Sequence, residues 1–228
     1  MSDVLGQAIY DHYHHISPAK LWIHNKYGPK EEMPVDIFFR EADELPDLEW
    51  LALNNCRGKV LDIGAGAGSH SLLLQQSGID VTAMDISPLA VKVIKDRGVL
   101  NAFQQDIFDY HPGIKYDTLL LLMNGIGLAG TLDGLSRLFN HLKSFLNEGG
   151  QILFDSSDVS YLYEGNTPTD NYYGEIAYQY QYKKLQTNWF NWLYVDKDTL
   201  LKHATQAGFK TEILLEDEYG QYLARLIR

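Results

Sequence analysis

The chain has 228 residues, 45% of them hydrophobic and 21% charged, with a formal net charge of −11 at pH 7. This fits one sizeable soluble domain with insertions, or at most two small ones; no apolar run reaches the roughly 20 residues of a membrane span and no signal-peptide pattern opens the chain. The acidic balance argues against a nucleic-acid partner, which needs clustered Lys and Arg, while a single cysteine, Cys56, excludes an internal disulfide and suits a reducing cytoplasm.

Residues 1 to about 55 read as a helical N-terminal extension. Ser17-Pro18 is an N-cap followed by proline at the first helical position, and predicts a helix over residues 19–23 that ends at Gly28-Pro29. Phe38 and Phe39 lie in a charged connection, and Pro46-Asp47-Leu48-Glu49-Trp50-Leu51 opens another helix. His12, His14 and His15 fall close together, but no Cys or carboxylate at ligand spacing accompanies them, so ordinary packed or exposed histidines are expected and no metal.

From Gly58 onward the pattern alternates strand and helix. Strands are predicted over 59–63, 79–84 (running into Asp85), 101–105 (running into Asp106) and 116–123, the last a near-continuous apolar run suited to a central parallel strand. Leu132, Leu135, Leu138, Phe139, Leu142, Phe145 and Leu146 recur at steps of three and four, one apolar helix stripe, and residues 151–154 form the next buried strand. The rhythm then breaks. Residues 157–171, with Gly165 and Pro168, read as a loop, and two aromatic strands at 176–183 and 189–195 read as an inserted hairpin. A helix near 198–207 and two strands at 209–215 and 221–227 close the chain. Strands alternating with helices in this way mean an α/β fold with a doubly wound sheet. The divisions expected within a single domain over 1–228 are the extension (1–55), a core (58–156), the inserted loop and hairpin (157–195), and a last helix with a terminal strand pair (196–228).

In such a sheet, ligands bind at the carboxyl ends of the strands. The first core strand runs into Val60-Leu61-Asp62-Ile63-Gly64-Ala65-Gly66-Ala67-Gly68, a turn without Cβ atoms at alternate positions, and a helix starts directly after it. Backbone there can approach a small molecule closely. Asp85 ends the second strand about twenty residues later, where a carboxylate can accept from both hydroxyls of a ribose. Asp106, ending the third, is placed to accept from an adenine amine. A dinucleotide dehydrogenase also uses a glycine turn and a ribose-binding acid, but its G-x-G-x-x-G spacing differs from Gly64-x-Gly66-x-Gly68. Asp62 would repel a pyrophosphate and attract an ammonium group. The ligand that fits carries adenosine, no phosphate and a positive charge.

These residues resemble the class I S-adenosylmethionine-dependent methyltransferases over about 58–156 and the terminal strand pair. The resemblance implies a seven-stranded Rossmann-like sheet of order 3-2-1-4-5-7-6 with its last strand antiparallel, and S-adenosyl-L-methionine as cofactor. It places the methionine part of the cofactor at Asp62, Gly64, Ala65, Gly66 and Gly68, the ribose at Asp85 with Ile86, and adenine at Asp106 with Ile107. Asn124, ending the fourth strand, is the candidate for a cofactor or catalytic contact. It lacks the Asn/Asp-Pro-Pro-Tyr sequence of the family's DNA base-methylating enzymes, so a small-molecule acceptor is expected, with no nucleic acid and no membrane. Phe39, Tyr178, Trp189 and Trp192 are the candidate substrate contacts, through an aromatic wall or lid made by the two flanking segments. A nicotinamide-dependent oxidoreductase and a non-catalytic cofactor-binding module are the alternatives.

Overall fold

The structure, a computed structural model, describes residues 3–163, 168 and 170–228. The N-terminal segment forms helix α1 (Val4–Tyr13), strands β1 (Leu21–Asn25) and β2 (Glu31–Met33), a one-turn 3-10 strap (Val35–Phe39) and helix α2 (Asp47–Asn55). The helix expected over residues 19–23 is therefore a strand. Ser17 has a φ of +42°, which is not the extended backbone an N-cap adopts. β1 also has strand partners on both sides, and those hydrogen bonds outweigh the local capping pattern.

After α2 come β3 (Lys59–Ile63), α3 (Ser69–Gln76), β4 (Asp80–Asp85), α4 (Pro88–Asp96), β5 (Ala102–Gln104) and β6 (Tyr116–Leu121). A 3-10 turn (Gly125–Ala129), α5 (Leu132–Lys143), β7 (Leu146–Ser157), β8 (Glu175–Tyr182), β9 (Leu185–Gln186) and β10 (Phe190–Leu193) follow, and α6 (Lys197–Gln206), β11 (Lys210–Glu216) and β12 (Gln221–Ile227) complete the chain. Part of the loop expected over 157–171, including Gly165, lies outside the described residues; Ser160–Tyr163 makes a 3-10 turn.

The main sheet has seven strands in the order β11-β12-β7-β6-β3-β4-β5. Numbered along the core, this is the expected 3-2-1-4-5-7-6. β12 is antiparallel to both β7 and β11, whereas the pairs β4–β5 and β6–β7 are parallel. Leu119, Leu120 and Leu121 are fully buried, as befits a parallel strand covered on both faces, and Leu135, Leu138, Phe139 and Leu142 are the buried stripe of α5. The inserted aromatic strands belong to a second sheet of order β10-β8-β1-β2, with β9 on β8. The insertion thus pairs with the N-terminal segment, Leu21 lying opposite Tyr182 and Asn25 opposite Tyr178.

The chain divides into two compact units: Met1–Pro46 with Leu61–Tyr110 and Ala177–Phe190, and Asp47–Val60 with His111–Ile176 and Asn191–Arg228. In the first, Val4, Ala8, Leu21 and Tyr182 form one core cluster, and Ile9, Ala67 and Val93 another. The buried Asp11, also bonded to Gln7 within α1, ties the helix to the insertion by accepting from Lys183 and Tyr182. In the second, Gly127 lies under the Trp192 indole, where a Cβ would collide with Nε1, and Gly130 packs against the Asn191 backbone. Among the described residues no helix is long and apolar enough to cross a membrane.

Gly127→Ala should destabilise the protein by about 1–3 kcal/mol in urea unfolding, the usual cost of overpacking. Trp192→Ala in the same chain should recover part of that loss; strictly additive effects would contradict the packing described here.

Candidate functional site

The glycine turn after β3 has the geometry that excludes side chains. Gly64, Gly66 and Gly68 have φ of +74°, +59° and +82°, a region costly for any residue with a Cβ. The turn is fastened to the end of β4: the N–H groups of Gly64 and Ala65 both donate to the Met84 carbonyl, at 2.8 and 3.1 Å. Gly68 then sits at the N-cap of α3 in the left-handed conformation.

Asp85 completes the attachment. Its Oδ2 accepts from the Gly66 N–H at 2.9 Å and its Oδ1 from the Ser87 N–H at 2.8 Å. Each oxygen of the carboxylate therefore keeps a lone pair for a further donor. Burial pushes the Asp85 carboxyl up to about 6 against the pull of those two N–H groups, and the Asp3 and Asp62 carboxylates add to the rise. The neighbouring Ile86 side chain is 61% exposed. An uncovered apolar side chain beside a partly saturated carboxylate suits a ligand with both hydroxyls and a flat apolar ring.

Asp62 is buried and turned toward α3, where its Oδ2 accepts from Ser71 Oγ at 2.6 Å. Burial raises its pKa, opposed by His70 and Ser71. Asp106 and Ile107 follow β5, whose end is tied to that of β4: Gln105 N–H donates to the Asp85 carbonyl and Gln104 Nε2 to that of Ile86. Asp106 is half-buried, accepts from the Phe108 N–H and caps a short 3-10 turn; Ile107 is buried. The structure thus gathers Asp62, Gly64, Ala65, Gly66, Gly68, Asp85 and Ile86 around one turn, with Asp106 and Ile107 on the adjoining strand end.

Sequence reasoning missed the residues that cover this turn. Phe38, on the strap, lies with its ring 3.1 Å from where a Gly66 Cβ would stand, and its carbonyl accepts from Ser69 Oγ. Arg97 donates to the Ala67 carbonyl at 2.7 Å and to Ser69 Oγ at 3.0 Å, while its guanidinium lies 5.1 Å from the Phe39 ring centre. Only the paired aromatics Phe38-Phe39 hinted at this in the sequence.

The candidate substrate contacts have separate surroundings. Phe39 stacks on His12 and Tyr13 of α1. Tyr178 is half-buried on β8, and Trp189 is 47% exposed with Lys26 Nζ 5.7 Å from its ring centre. Trp192 packs on Gly127. Asn124 stands in a left-handed conformation, φ +54°. Its Nδ2 donates to the Leu193 carbonyl, its Oδ1 accepts from Ser156 Oγ, and its N–H donates to Asp155 Oδ2. Both polar atoms of its side chain are engaged. His12 and His14 pack against aromatic rings, and no group of three His, Cys, Asp or Glu able to hold a metal occurs among the described residues.

A family model described as "Methyltransferase domain" matches residues 38–212. Among solved structures, an S-adenosylmethionine-dependent methyltransferase from Bacteroides fragilis in complex with S-adenosylhomocysteine is 42% identical. It covers 98% of this chain and 94% of its own, with a TM-score of 0.90. A sugar N-methyltransferase from a Streptoalloteichus species is 17% identical over 90% of this chain and 96% of its own, with a TM-score of 0.60, a likeness of fold. A malonyl-[acyl-carrier protein] O-methyltransferase from Ilyobacter polytropus is 31% identical over 132 residues, 55% of this chain. The match spans about half that relative's length, 48%. On this family match and a glycine turn fastened to an acid at the end of the second core strand, the chain belongs to the class I S-adenosylmethionine-dependent methyltransferases.

Proposed function

We propose that the protein transfers the methyl group of S-adenosylmethionine to a small-molecule acceptor. The observation that carries this reading is the turn of three left-handed glycines whose central N–H is held by Asp85. The residues fit the cofactor. A Cβ at any of the three glycines would strain the loop, Asp85 keeps acceptor capacity for two ribose hydroxyls, and Ile86 offers an apolar surface to a nucleoside. Gly64-x-Gly66-x-Gly68 does not match the fingerprint of a pyrophosphate-binding turn, which disfavours a nicotinamide cofactor. The net charge of −11 and the absence of an Asn/Asp-Pro-Pro-Tyr sequence at Asn124 support an acceptor other than nucleic acid. Cysteine usage, a single residue in the whole chain, supports a reducing, cytoplasmic setting.

Bound S-adenosylmethionine supplies a methyl group on a positively charged sulfur, open to in-line displacement. The chain's own contribution is alignment and exclusion of water. Asp85 orients the ribose, the glycine turn fixes the amino-acid end by backbone contact, and Asp106 with Ile107 frames the adenine. Phe38 and Phe39 shield the turn. Asn124 acts by holding residues 193 and 156 in place, since its side chain is already bonded to both.

Asp85→Ala should weaken S-adenosylhomocysteine binding by about 1.5–3 kcal/mol, roughly 10- to 150-fold, the worth of hydrogen bonds to a charged acceptor. Calorimetry that finds an unchanged Kd would refute the ribose assignment.

The raised Asp85 pKa has two consequences of opposite sign. Ribose binding needs the ionised carboxylate, so affinity for S-adenosylhomocysteine should be constant well above pH 6 and fall by up to about tenfold per unit below it. In the free protein the folded state holds the Asp85 proton more tightly than the unfolded chain does, where the ordinary value is 3.8. Stability from this group is therefore greatest at low pH and declines as pH rises from 3.8 to about 6. Asp85→Asn should flatten both profiles, read by calorimetry and by urea unfolding across pH 4–8; a wild-type affinity that stays level down to pH 4 would contradict the assignment.

A further inference from the structure

The ribose-site turn does not end at Ser87. Ser87 Oγ donates to Asp3 Oδ2 at 2.7 Å, and the same Asp3 oxygen lies 3.4 Å from the Leu89 N–H. The other Asp3 oxygen accepts from the Gly6 N–H at 3.0 Å and caps α1. Ser87 meanwhile caps α4, its Oγ accepting from the Ala90 N–H at 2.9 Å. One carboxylate thus serves the N-termini of two helices, where N–H groups and helix dipoles favour an anion. It also extends a continuous chain of hydrogen bonds, Gly66–Asp85–Ser87–Asp3–Gly6, from the glycine turn into α1.

The contact is close by construction. A Cβ at Gly6 would collide with both Ser87 Oγ and the Asp3 carboxylate, so α1 approaches the α4 terminus where it carries no side chain. Farther along, α1 is fastened to α4 by Tyr13 Oη, which donates to the Asp96 carbonyl, and His14, just past the helix, has its Nε2 3.3 Å from the Asp96 carboxylate. α1 also carries the residues on which the strap rests: Ile9 in the cluster with Ala67 and Val93, and His12 and Tyr13 against Phe39.

We propose that Asp3 is a positioning residue of the cofactor site, joining the docking of α1 to the Asp85–Ser87 turn so that cofactor binding and closure of α1 stabilise each other. The proposal rests on the reading of Asp85 as the ribose ligand. Coupling of this kind is reciprocal: whatever the docked helix adds to cofactor affinity, the cofactor adds to the docking of the helix.

The test measures S-adenosylhomocysteine binding by calorimetry and amide hydrogen exchange over residues 4–13, on the full chain. In the wild type, S-adenosylhomocysteine should slow exchange across α1. Asp3→Ala should weaken binding about tenfold and abolish that slowing. Asp3→Asn, which can still cap α1, removes one of the two carboxylates, Asp3 and Asp62, that face Asp85 beside the Gly66 and Ser87 N–H groups. It should move the midpoint of pH-dependent binding to lower pH, a shift that lost helix stability alone would not produce. Gln7→Ala, which removes a hydrogen bond within α1, from Gln7 to Asp11, without touching Ser87, should leave affinity within twofold of wild type. A wild type that binds S-adenosylhomocysteine, with Asp3→Ala and Asp3→Asn matching its affinity and its midpoint, would overturn the proposal. So would a loss in Gln7→Ala as large as that in Asp3→Ala. A wild type that does not bind at all would overturn the cofactor reading instead.

Discussion

Three positive-φ glycines at alternate positions, fastened to the end of a neighbouring strand, are the constraint on which the site depends. A turn of this shape strains any Cβ at positions 64, 66 and 68, and the N–H groups of Gly64, Ala65 and Gly66 need acceptors from outside the turn. The Met84 carbonyl and the Asp85 carboxylate supply the missing acceptors. The loop's conformation and the acid's position are therefore one feature. Asp85 is committed to the backbone before any ligand arrives, and each of its oxygens keeps a lone pair for a further donor.

Around that turn the first unit builds a cover from segments distant in sequence. Phe38 closes over Gly66, Arg97 bridges Ala67 and Ser69, and α1 supports the strap through Ile9, His12 and Tyr13. Pre-organised contacts of this kind lower the ordering cost of binding. In the second unit the turn after β6 is held differently. Asn124 links Ser156 and Leu193, and glycines at 127 and 130 leave room for Trp192 and Asn191. The return strand of the insertion is thereby locked to the loop it meets.

What could be read from the sequence follows the range of the forces involved. The core strands and the α5 stripe were legible because burial imposes a period of two or 3.6 on neighbouring residues. The glycine turn was legible because glycines at alternate positions stand in register with acids at successive strand ends, a pattern that an acid capping a turn does not make alone. The segment over residues 19–23 was misread as helix because Ser17-Pro18 looks like a cap locally. Its actual structure is set by pairing with β8, with Leu21 opposite Tyr182 in the strand partner across the sheet. Asp3 was invisible for the same reason: its partner Ser87 lies 84 positions away. Asn124 was singled out by its position at a strand end, but its bonding to Leu193 and Ser156 depends on tertiary contacts that no local pattern encodes. Of the four aromatics chosen as substrate contacts, Phe39 and Trp192 stand in packing contacts that composition alone could not distinguish from a lid.

A crystal structure with S-adenosylhomocysteine bound would show where the nucleoside lies relative to the glycine turn. Both ribose hydroxyls should lie within hydrogen-bond distance of Asp85, the amino-acid end against Gly64 to Gly68, and adenine between Ile86 and Asp106. A ligand bound elsewhere, or a ribose that makes no contact with Asp85, would contradict this placement.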